Sequence, residues 1–325
     1  RTTAYQFNNT EHAASLFALK EFGNIYSRIG NPTVGALEAR LTALEDGAMC
    51  VALSSGTSAI MYSLINIMSQ GDNFISANQL YGGTYTMFDN ILPEYGINAK
   101  KVDITNLEAV EESIDDKTRA IFCETITNPG LVVADISALS DIAHSKGIPL
   151  IVDATFTTSA IQKSFDYGAD IVVYSLTKWM SGHGRVIAGA VIEKGGFEWG
   201  NGNFPLFDKP DTSYGGMRWG HDLGDLSNVA YSLRLRTVPL RNLGANMSPD
   251  TAFEVMSGLE TLALRMERHC ENALKAAEYL SNHDLVEWVR FPGLKDDPAF
   301  ELSEKYLKGT GGTMVVFGIK GGKDA

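Results

Sequence analysis

The chain has 325 residues, of which 44% are hydrophobic and 20% are charged, which is ordinary for a globular protein large enough for two domains. Its formal net charge of -12 disfavours binding to nucleic acids and to anionic membranes. The sequence contains no uninterrupted apolar run of about 18 residues that would predict a membrane span. Cys50, Cys123 and Cys270 lack metal-site spacing. We therefore expect a cytoplasmic protein with reduced, buried thiols and no metal, and we expect residues upstream of Arg1.

The first helix signal lies between Pro32 and Gly47, which are typical first-turn and C-terminal residues. Apolar residues recur there at helical spacing: Val34, Leu37, Leu41 and Leu44. Short apolar runs follow, separated by helix-period stretches such as residues 136–145. The runs cover residues 49–53, 73–77, 119–123, 149–152 and 171–174. This alternation predicts an α/β fold with a mostly parallel, doubly wound sheet, helices on both faces, and ligands at the carboxyl ends of the strands.

The second half of the chain changes character. Residues 195–216 are rich in Gly, Asn, Pro and Trp and predict a long surface loop. Ser248, Pro249 and Asp250 have the pattern of a helix start, and another helical pattern covers residues 262–280. With a strand expected at 312–318, these helices predict a smaller α+β domain. We therefore expect an N-terminal arm (1–30), a large α/β domain (31–245) and a C-terminal domain (246–325) that is incomplete in this chain.

Two charged residues follow neighbouring apolar runs. Asp153 comes directly after residues 149–152, and Lys178 comes shortly after residues 171–174. A partly desolvated lysine at a strand end has a lowered pKa and can attack a carbonyl. An aspartate there can pair with the protonated pyridine nitrogen of a ring cofactor. Each residue alone favours a structural role, Asp153 as a helix cap and Lys178 as a solvated side chain, but the pair with its neighbours favours a cofactor site.

A candidate phosphate site lies in the segment Ser-Ser-Gly-Thr-Ser-Ala, residues 54–59. It contains Ser55, Gly56 and Thr57 and joins a predicted strand to a predicted helix. Backbone N–H groups and hydroxyls at such a helix start bind anions. Ser175 and Thr177 can add two hydroxyl donors from the other strand end. In isolation the pattern also fits simple N-capping.

Three further residues lie at predicted strand ends. Tyr81 precedes two glycines, so its ring can lie flat against a planar cofactor. Glu124 and Asn128 follow the run 119–123 and can touch a substituent of the same ring. The structural alternatives are a core tyrosine and a turn organised around Pro129.

Six motifs, in this order, resemble the Cys/Met-metabolism branch of the fold-type I enzymes that use pyridoxal 5'-phosphate (PLP). They are Y-S-R-I-G-N-P-T (26–33), S-S-G-T-S-A (54–59), L-Y-G-G-T-Y (80–85), E-T-I-T-N-P (124–129), V-D-A-T (152–155) and S-L-T-K-W-M-S-G-H-G (175–184). The resemblance covers essentially the whole chain. It implies the fold-type I PLP-transferase architecture and PLP as the cofactor.

The resemblance also implies individual roles. Lys178 would be the Schiff-base lysine and proton shuttle, and Tyr81 the stacking ring that assists proton transfer. The other implied contacts are Asp153 with the pyridine nitrogen, Asn128 with the ring hydroxyl, Glu124 supporting that region, and Ser55, Gly56, Thr57, Ser175 and Thr177 with the phosphate. Tyr26 and Arg28 would reach the phosphate of a neighbouring subunit, giving an active site shared across a dimer, with two dimers forming a tetramer. The arginine that binds the substrate α-carboxylate would lie beyond Ala325.

Within this family, residues 9–28, 195–216, 247–273 and 312–322 most resemble O-acetylhomoserine sulfhydrylases. The resemblance implies replacement of acetate by a sulfur nucleophile, giving homocysteine or methionine in methionine biosynthesis. Sulfide, methanethiol and a sulfur-carrier protein remain open as donors, and O-succinyl and O-phospho esters as substrates. A methionine or cystathionine γ-lyase and a cystathionine γ-synthase remain alternatives, because they use the same lysine. A nucleotide-binding oxidoreductase or a noncatalytic binding module is disfavoured, since no G-x-G-x-x-G opens a helix after the first strand.

Overall fold

A computed structural model of the chain describes residues 1–322. Its main sheet has seven strands in the order β1-β7-β6-β5-β4-β2-β3. The strands are β1 (Met49–Leu53), β2 (Asn73–Ala77), β3 (Asn98–Val102), β4 (Thr118–Glu124), β5 (Leu150–Asp153), β6 (Ile171–Ser175) and β7 (Gly189–Glu193). Strand β2 pairs in parallel with β3 and β4, and β4 with β5, whereas β1 and β7 are antiparallel. The predicted α/β class and the mostly parallel sheet are confirmed.

Helices separate and follow the strands. The α-helices are α1 (Thr10–Phe17), α2 (Pro32–Glu45), α3 (Gly56–Ile65), α4 (Gly82–Thr86), α5 (Leu107–Glu112), α6 (Ile136–Ser145), α7 (Thr158–Ile161), α8 (Pro205–Asp208), α9 (Ala230–Leu235), α10 (Arg241–Leu243), α11 (Pro249–Leu259), α12 (Leu262–Ser281) and α13 (Phe300–Tyr306). Two π-helical turns cover Met87–Ile91 and Arg236–Leu240. Short 3-10 helices cover Leu92–Tyr95, Ser164–Tyr167, Thr212–Tyr214 and Gly224–Val229. Across residues 1–322, no helix combines the length and apolar character needed to cross a bilayer.

The helix starts follow from local chemistry. Asn31 precedes α2, and its side chain accepts a hydrogen bond from the Thr33 N–H group. Ser248 does the same for the Thr251 N–H group at the start of α11. Both helices have proline in the first turn, where its missing N–H group costs nothing. The predicted starts of these two helices are confirmed.

The chain falls into two compact units. The first unit comprises Arg1–Met68, Val173–Thr177 and Ser181–Glu260. The second unit comprises Ser69–Val172, Lys178–Met180 and the described residues from Thr261 onward. The predicted domain boundaries after residues 30 and 245 stay a prediction. All three cysteines are buried and free.

Residues 195–216 form a mostly irregular segment with many exposed residues, as predicted, but three aromatic side chains of the segment are buried. Trp199, Phe204 and Phe207 are almost fully buried in the first unit. The Trp199 ring stacks on Phe207 and on Tyr231, with centroid distances of 5.0 Å in both cases. These buried rings anchor the irregular segment to the first unit, while the glycines and asparagines between them lie in turns and bends.

A small antiparallel sheet belongs to the second unit and consists of β8 (Val286–Arg290) and β9 (Val316–Ile319). The strand predicted at residues 312–318 therefore begins four residues later. Gly311 and Gly312 have φ angles of 71° and 86°, which no β-strand residue adopts.

Candidate functional site

The first turn of α3 is built as an anion site in the first unit. The Ser55 hydroxyl accepts a hydrogen bond from the Ser58 N–H group at 3.0 Å, and the Ser58 hydroxyl accepts one from the Ser55 N–H group at 3.1 Å. This reciprocal cap fixes the turn that follows β1. The N–H groups of Gly56 and Thr57 lie in the first helical turn, where no intrahelical acceptor is available. They are donors for an anion at the positive end of the helix.

Two glycines allow other backbone segments to pack against this turn. A Cβ atom on Gly56 would lie 2.6 Å from the Ser175 Cβ atom and 2.9 Å from its Cα atom. A Cβ atom on Gly189 would lie 2.0 Å from the Ser55 carbonyl oxygen. The structure therefore brings Ser55, Gly56 and Ser175 together, at the carboxyl ends of β1 and β6. Four of the residues predicted for the phosphate, counting Thr57, lie around one helix start.

The Thr177 hydroxyl is bonded to backbone next to β7. It accepts a hydrogen bond from the Ala188 N–H group at 3.0 Å and donates to the Ala188 carbonyl at 3.2 Å. The Thr177 N–H group also donates to that carbonyl, at 3.3 Å. These bonds fix the chain immediately before Lys178. Donation from Thr177 to a phosphate stays a prediction.

Tyr26 and Arg28 also lie in the first unit. The Arg28 guanidinium carbon is 4.9 Å from the centroid of the Tyr26 ring, and Arg28 Nε donates to the Arg241 carbonyl at 2.8 Å. Arg236 Nη1 donates to the carbonyl of Ile29 at 2.8 Å, and its Nη2 pairs with Glu38 at 2.8 Å. The pair is therefore held on a fixed segment between the N-terminal residues and α2.

In the second unit, Glu124 holds two of the predicted ring contacts in place. Its Oε1 atom accepts a hydrogen bond from the Tyr81 N–H group at 2.7 Å, and its Oε2 atom accepts one from the Asn128 N–H group at 3.1 Å. Glu124 is buried at the end of β4. A single carboxylate thus fixes the backbone of both residues, which supports the expectation that Glu124 organises this region.

The Tyr81 ring lies over the first turn of α4. A Cβ atom on Gly83 would be 2.7 Å from Tyr81 Cε1, so the ring needs glycine at that position. The side chain is 47% exposed, which leaves one face of the ring available to a ligand. Stacking of Tyr81 on a cofactor ring stays a prediction.

Asp153 lies beside Glu124, because the two are register partners on β5 and β4. Asp153 Oδ1 accepts hydrogen bonds from the N–H group of Thr155 at 2.9 Å and from its hydroxyl at 2.5 Å. These bonds close a turn at the strand end, so Asp153 does not cap α7, whose N-cap residue is Thr157.

The two carboxylates perturb each other. Burial raises the pKa of Asp153. Burial, followed by the charge of Asp153, raises the pKa of Glu124 from 4.5 to about 8. In the described part of this unit, the hydrogen bonds to the Asp153 carboxylate come from Thr155, which is uncharged. A buried carboxylate pair of this kind is stabilised by a cation placed next to it.

Lys178 is exposed in the turn after β6. Partial desolvation of its amine in the presence of the cofactor stays a prediction. Its backbone is nevertheless held, since Trp179 and Met180, the next two residues, accept hydrogen bonds from Arg265 on α12.

A family model for the Cys/Met metabolism PLP-dependent enzymes matches residues 1–325, which is the whole chain. The chain belongs to this family. An O-acetyl-L-homoserine sulfhydrylase from Leptospira meyeri is 44% identical over 328 residues, which cover 99% of this chain and 74% of the relative. A homocysteine synthase from Schizosaccharomyces pombe is 43% identical over 326 residues, which cover 99% and 75%.

Solved structures of PLP enzymes have the same fold. A Campylobacter jejuni protein described as an O-acetylhomoserine (thiol)-lyase has a TM-score of 0.94 and 39% identity, with 98% of this chain and 79% of that chain covered. Its structure contains N'-pyridoxyl-lysine-5'-monophosphate. A cystathionine γ-lyase from Lactobacillus plantarum, complexed with L-serine, has a TM-score of 0.80 and 31% identity, with 98% and 72% covered. The protein is thus a fold-type I, PLP-dependent enzyme, as the motifs predicted.

The residues fit this cofactor. In the first unit, the glycine-lined start of α3 offers backbone N–H groups to a phosphate. In the second unit, the buried pair Asp153 and Glu124 matches the positive charge of a protonated pyridine nitrogen. The start of α3 and Asp153 were predicted from residues at strand ends, whereas the pairing of Asp153 with Glu124 was not, and the contacts with the cofactor stay predictions.

Several supporting residues were not predicted from the sequence. Thr155 donates hydrogen bonds that orient the Asp153 carboxylate, and Ser58 completes the helix cap at Ser55. Gly189 has no side chain, which allows the Ser55 carbonyl to pack against it. Thr155 and Ser58 had a local signal, because Asp-x-Thr and Ser-x-x-Ser are patterns of side-chain-closed turns and caps. Gly189 had none, since its contact joins residues that lie more than 130 positions apart.

Proposed function

We propose that this enzyme exchanges the acetate group of O-acetylhomoserine for a sulfur nucleophile and so forms homocysteine or, with methanethiol, methionine. The observation that carries the proposal is the 43–44% identity, over 99% of the chain, to relatives named O-acetyl-L-homoserine sulfhydrylase and homocysteine synthase. The site supports the chemistry of the proposal, because it combines a lysine, a stacking tyrosine and a buried carboxylate pair.

We propose two groups of contacts with PLP. Ser55, Gly56, Thr57, Ser175 and Thr177 bind its phosphate. Tyr81 stacks on the ring, Asp153 pairs with the pyridine nitrogen, and Asn128 contacts the ring hydroxyl. Glu124 holds Asn128 in place. The capped start of α3 supports the first assignment. The second assignment is supported by the two hydrogen bonds that the Glu124 carboxylate accepts from the N–H groups of Tyr81 and Asn128.

PLP supplies an electron sink that stabilises negative charge on the substrate carbon atoms. With PLP bound, Lys178 would hold the cofactor and, once the substrate has displaced it, would move protons at Cα and Cβ of the substrate. Its exposed side chain is free to swing between these atoms, while Trp179 and Met180 are held by Arg265. Tyr81 assists one proton transfer. Acetate leaves from Cγ after the Cβ proton is lost, and the sulfur nucleophile then forms its bond to Cγ.

The assembly and location are also part of the proposal. Tyr26 and Arg28 reach the phosphate in a neighbouring subunit, so two subunits share each active site, and two such dimers form a cytoplasmic tetramer. This role is supported by the fixed backbone of the segment, because the carbonyl of Ile29, the residue after Arg28, accepts a hydrogen bond from Arg236. The sulfur donor is sulfide, methanethiol or a carrier protein.

The test is a product assay with purified protein, PLP and O-acetylhomoserine, with and without sulfide. We expect homocysteine and acetate in equal amounts and only when sulfide is present. A Lys178→Ala variant should make neither product. Formation of 2-oxobutanoate and ammonia without sulfide would contradict the proposal and indicate a γ-lyase.

The γ-lyase alternative has one observation in its favour, the similarity to the L. plantarum cystathionine γ-lyase. Its lower identity of 31% makes it the second candidate. A cystathionine γ-synthase would instead form cystathionine when cysteine replaces sulfide in the same assay.

A further inference from the structure

We infer that Arg265 is a positioning residue for Lys178. Both belong to the second unit. Arg265 Nη1 donates to the Trp179 carbonyl at 2.7 Å, and Nη2 donates to the Met180 carbonyl at 3.2 Å. One planar guanidinium therefore binds the carbonyls of the two residues that follow the lysine. The inference rests on the proposed role of Lys178 as the cofactor lysine.

The orientation of the guanidinium is fixed from the other side. Arg265 Nε donates to the Thr261 hydroxyl at 3.1 Å, at the N-cap position of α12. The three bonds use three different nitrogen atoms and define both the position and the plane of the group. A lysine carries all its N–H donors on one nitrogen atom and cannot reproduce this planar arrangement of three donor nitrogens.

The location of this cation on its helix argues for a special role. Arg265 is the fourth residue of α12, near the positive end of the helix dipole, where cations are disfavoured. Burial also lowers the pKa of Arg265, because it disfavours the charged form. Both costs are offset by the two carbonyl acceptors of the lysine segment.

A second side chain of α12 contacts the same segment. His269, one helical turn after Arg265, has its ring 5.0 Å from the ring of Trp179. Met180 is fully buried. The residues after Lys178 are therefore held through backbone and side chain, whereas the Lys178 side chain is exposed. The amine can move while its Cα atom stays fixed.

The inference predicts a kinetic defect. A displacement of about 1 Å in a reacting group costs roughly 100-fold in rate. We expect Arg265→Gln to lower kcat by about 10- to 100-fold, with KM changed less than about threefold, because Arg265 orients the lysine and does not contact substrate. Arg265→Lys should fall between the wild type and Arg265→Gln.

The control is Arg268→Gln on the same helix, since Arg268 is exposed and pairs only with the exposed Glu271 among the ion pairs of the described chain. It should match the wild type. Hydrogen–deuterium exchange of the peptide 176–182, with and without PLP, gives a readout independent of turnover. We expect faster exchange there in Arg265→Gln and in Arg265→Lys, with the midpoint of thermal unfolding close to that of Arg268→Gln.

The outcomes separate the inference from the proposed function. Wild-type kcat and wild-type exchange in the Arg265 variants would overturn the inference, as would a general loss of protection across the second unit. If Arg265→Gln fails to fold, Arg265→Lys decides by the same two readouts. Persistence of the visible cofactor band in Lys178→Ala would instead overturn the proposed role of Lys178.

Discussion

Replacement of Gly56 by alanine tests how closely the first turn of α3 and the end of β6 must approach. The new Cβ atom would lie 2.6 Å from Ser175 Cβ and 2.9 Å from Ser175 Cα. Carbon atoms in contact normally lie about 3.5–4.0 Å apart, so the overlap is roughly 1 Å. Because one of the opposing atoms is backbone, a rotamer change of Ser175 cannot relieve it.

Two effects of different size follow. Overpacking of this kind costs about 1–3 kcal/mol of unfolding free energy. The shift also moves the N–H group of residue 56 away from Ser175, and loss of one hydrogen bond to a charged group costs about 1.5–3 kcal/mol. The Kd for PLP should therefore rise roughly 10- to 150-fold.

The assay combines urea unfolding of the cofactor-free protein with a PLP titration. The matched control is Gly35→Ala at the fourth residue of α2, where an added Cβ atom meets nothing within 4 Å. This control should be about 0.5–1 kcal/mol more stable than the wild type, because alanine is a better helix former, and should bind PLP normally. Wild-type stability and PLP affinity in Gly56→Ala would refute the close-approach argument.

Two further predictions concern buried charges in the second unit. The pKa of Glu124 is raised to about 8, so the folded chain keeps a proton that the unfolded chain loses above its ordinary pKa of 4.5. Glu124 therefore stabilises the cofactor-free protein fully below about pH 4.5, and this contribution is lost as the pH rises through about 8. Glu124→Gln should reduce the pH dependence of the unfolding free energy between these pH values, because Asp153 also has a raised pKa and keeps its own contribution. An unchanged pH dependence would contradict the assignment. Asp72→Asn should cost about 3–5 kcal/mol in the same assay, because it leaves Arg119 buried without its 2.9 Å ion pair, whereas Glu271→Gln in an exposed pair should cost less than about 1 kcal/mol.

The parts of the fold that sequence patterns predicted are those where local and tertiary forces agree. Helix α2 has a cap, a first-turn proline and a regular apolar face. The central residues of the buried strands β4 and β5 form continuous apolar runs, 120–123 and 150–152. Strand β3 was missed, since it lies at the sheet edge and its residues Asn98, Lys100 and Lys101 break the apolar pattern.

The candidate site shows the same division. Asp153 and Lys178 were predicted because a parallel sheet collects ligands at its strand ends. The contacts that orient them were not all predictable. Arg265 is 86 positions from Trp179, and no local pattern connects α12 to that carbonyl. The exposure of Lys178 also depends on tertiary structure. The preceding strand, β6, is buried over most of its length, and its apolar pattern does not show where the buried part of the chain ends.

The proposed bond between PLP and Lys178 can be tested by chemical trapping. Borohydride reduction of the PLP-loaded protein, followed by peptide mass spectrometry, should place a phosphopyridoxyl group on Lys178. The visible cofactor band should disappear in parallel. A label on another lysine, or no label in a protein that binds PLP, would contradict the role of Lys178 as the cofactor lysine.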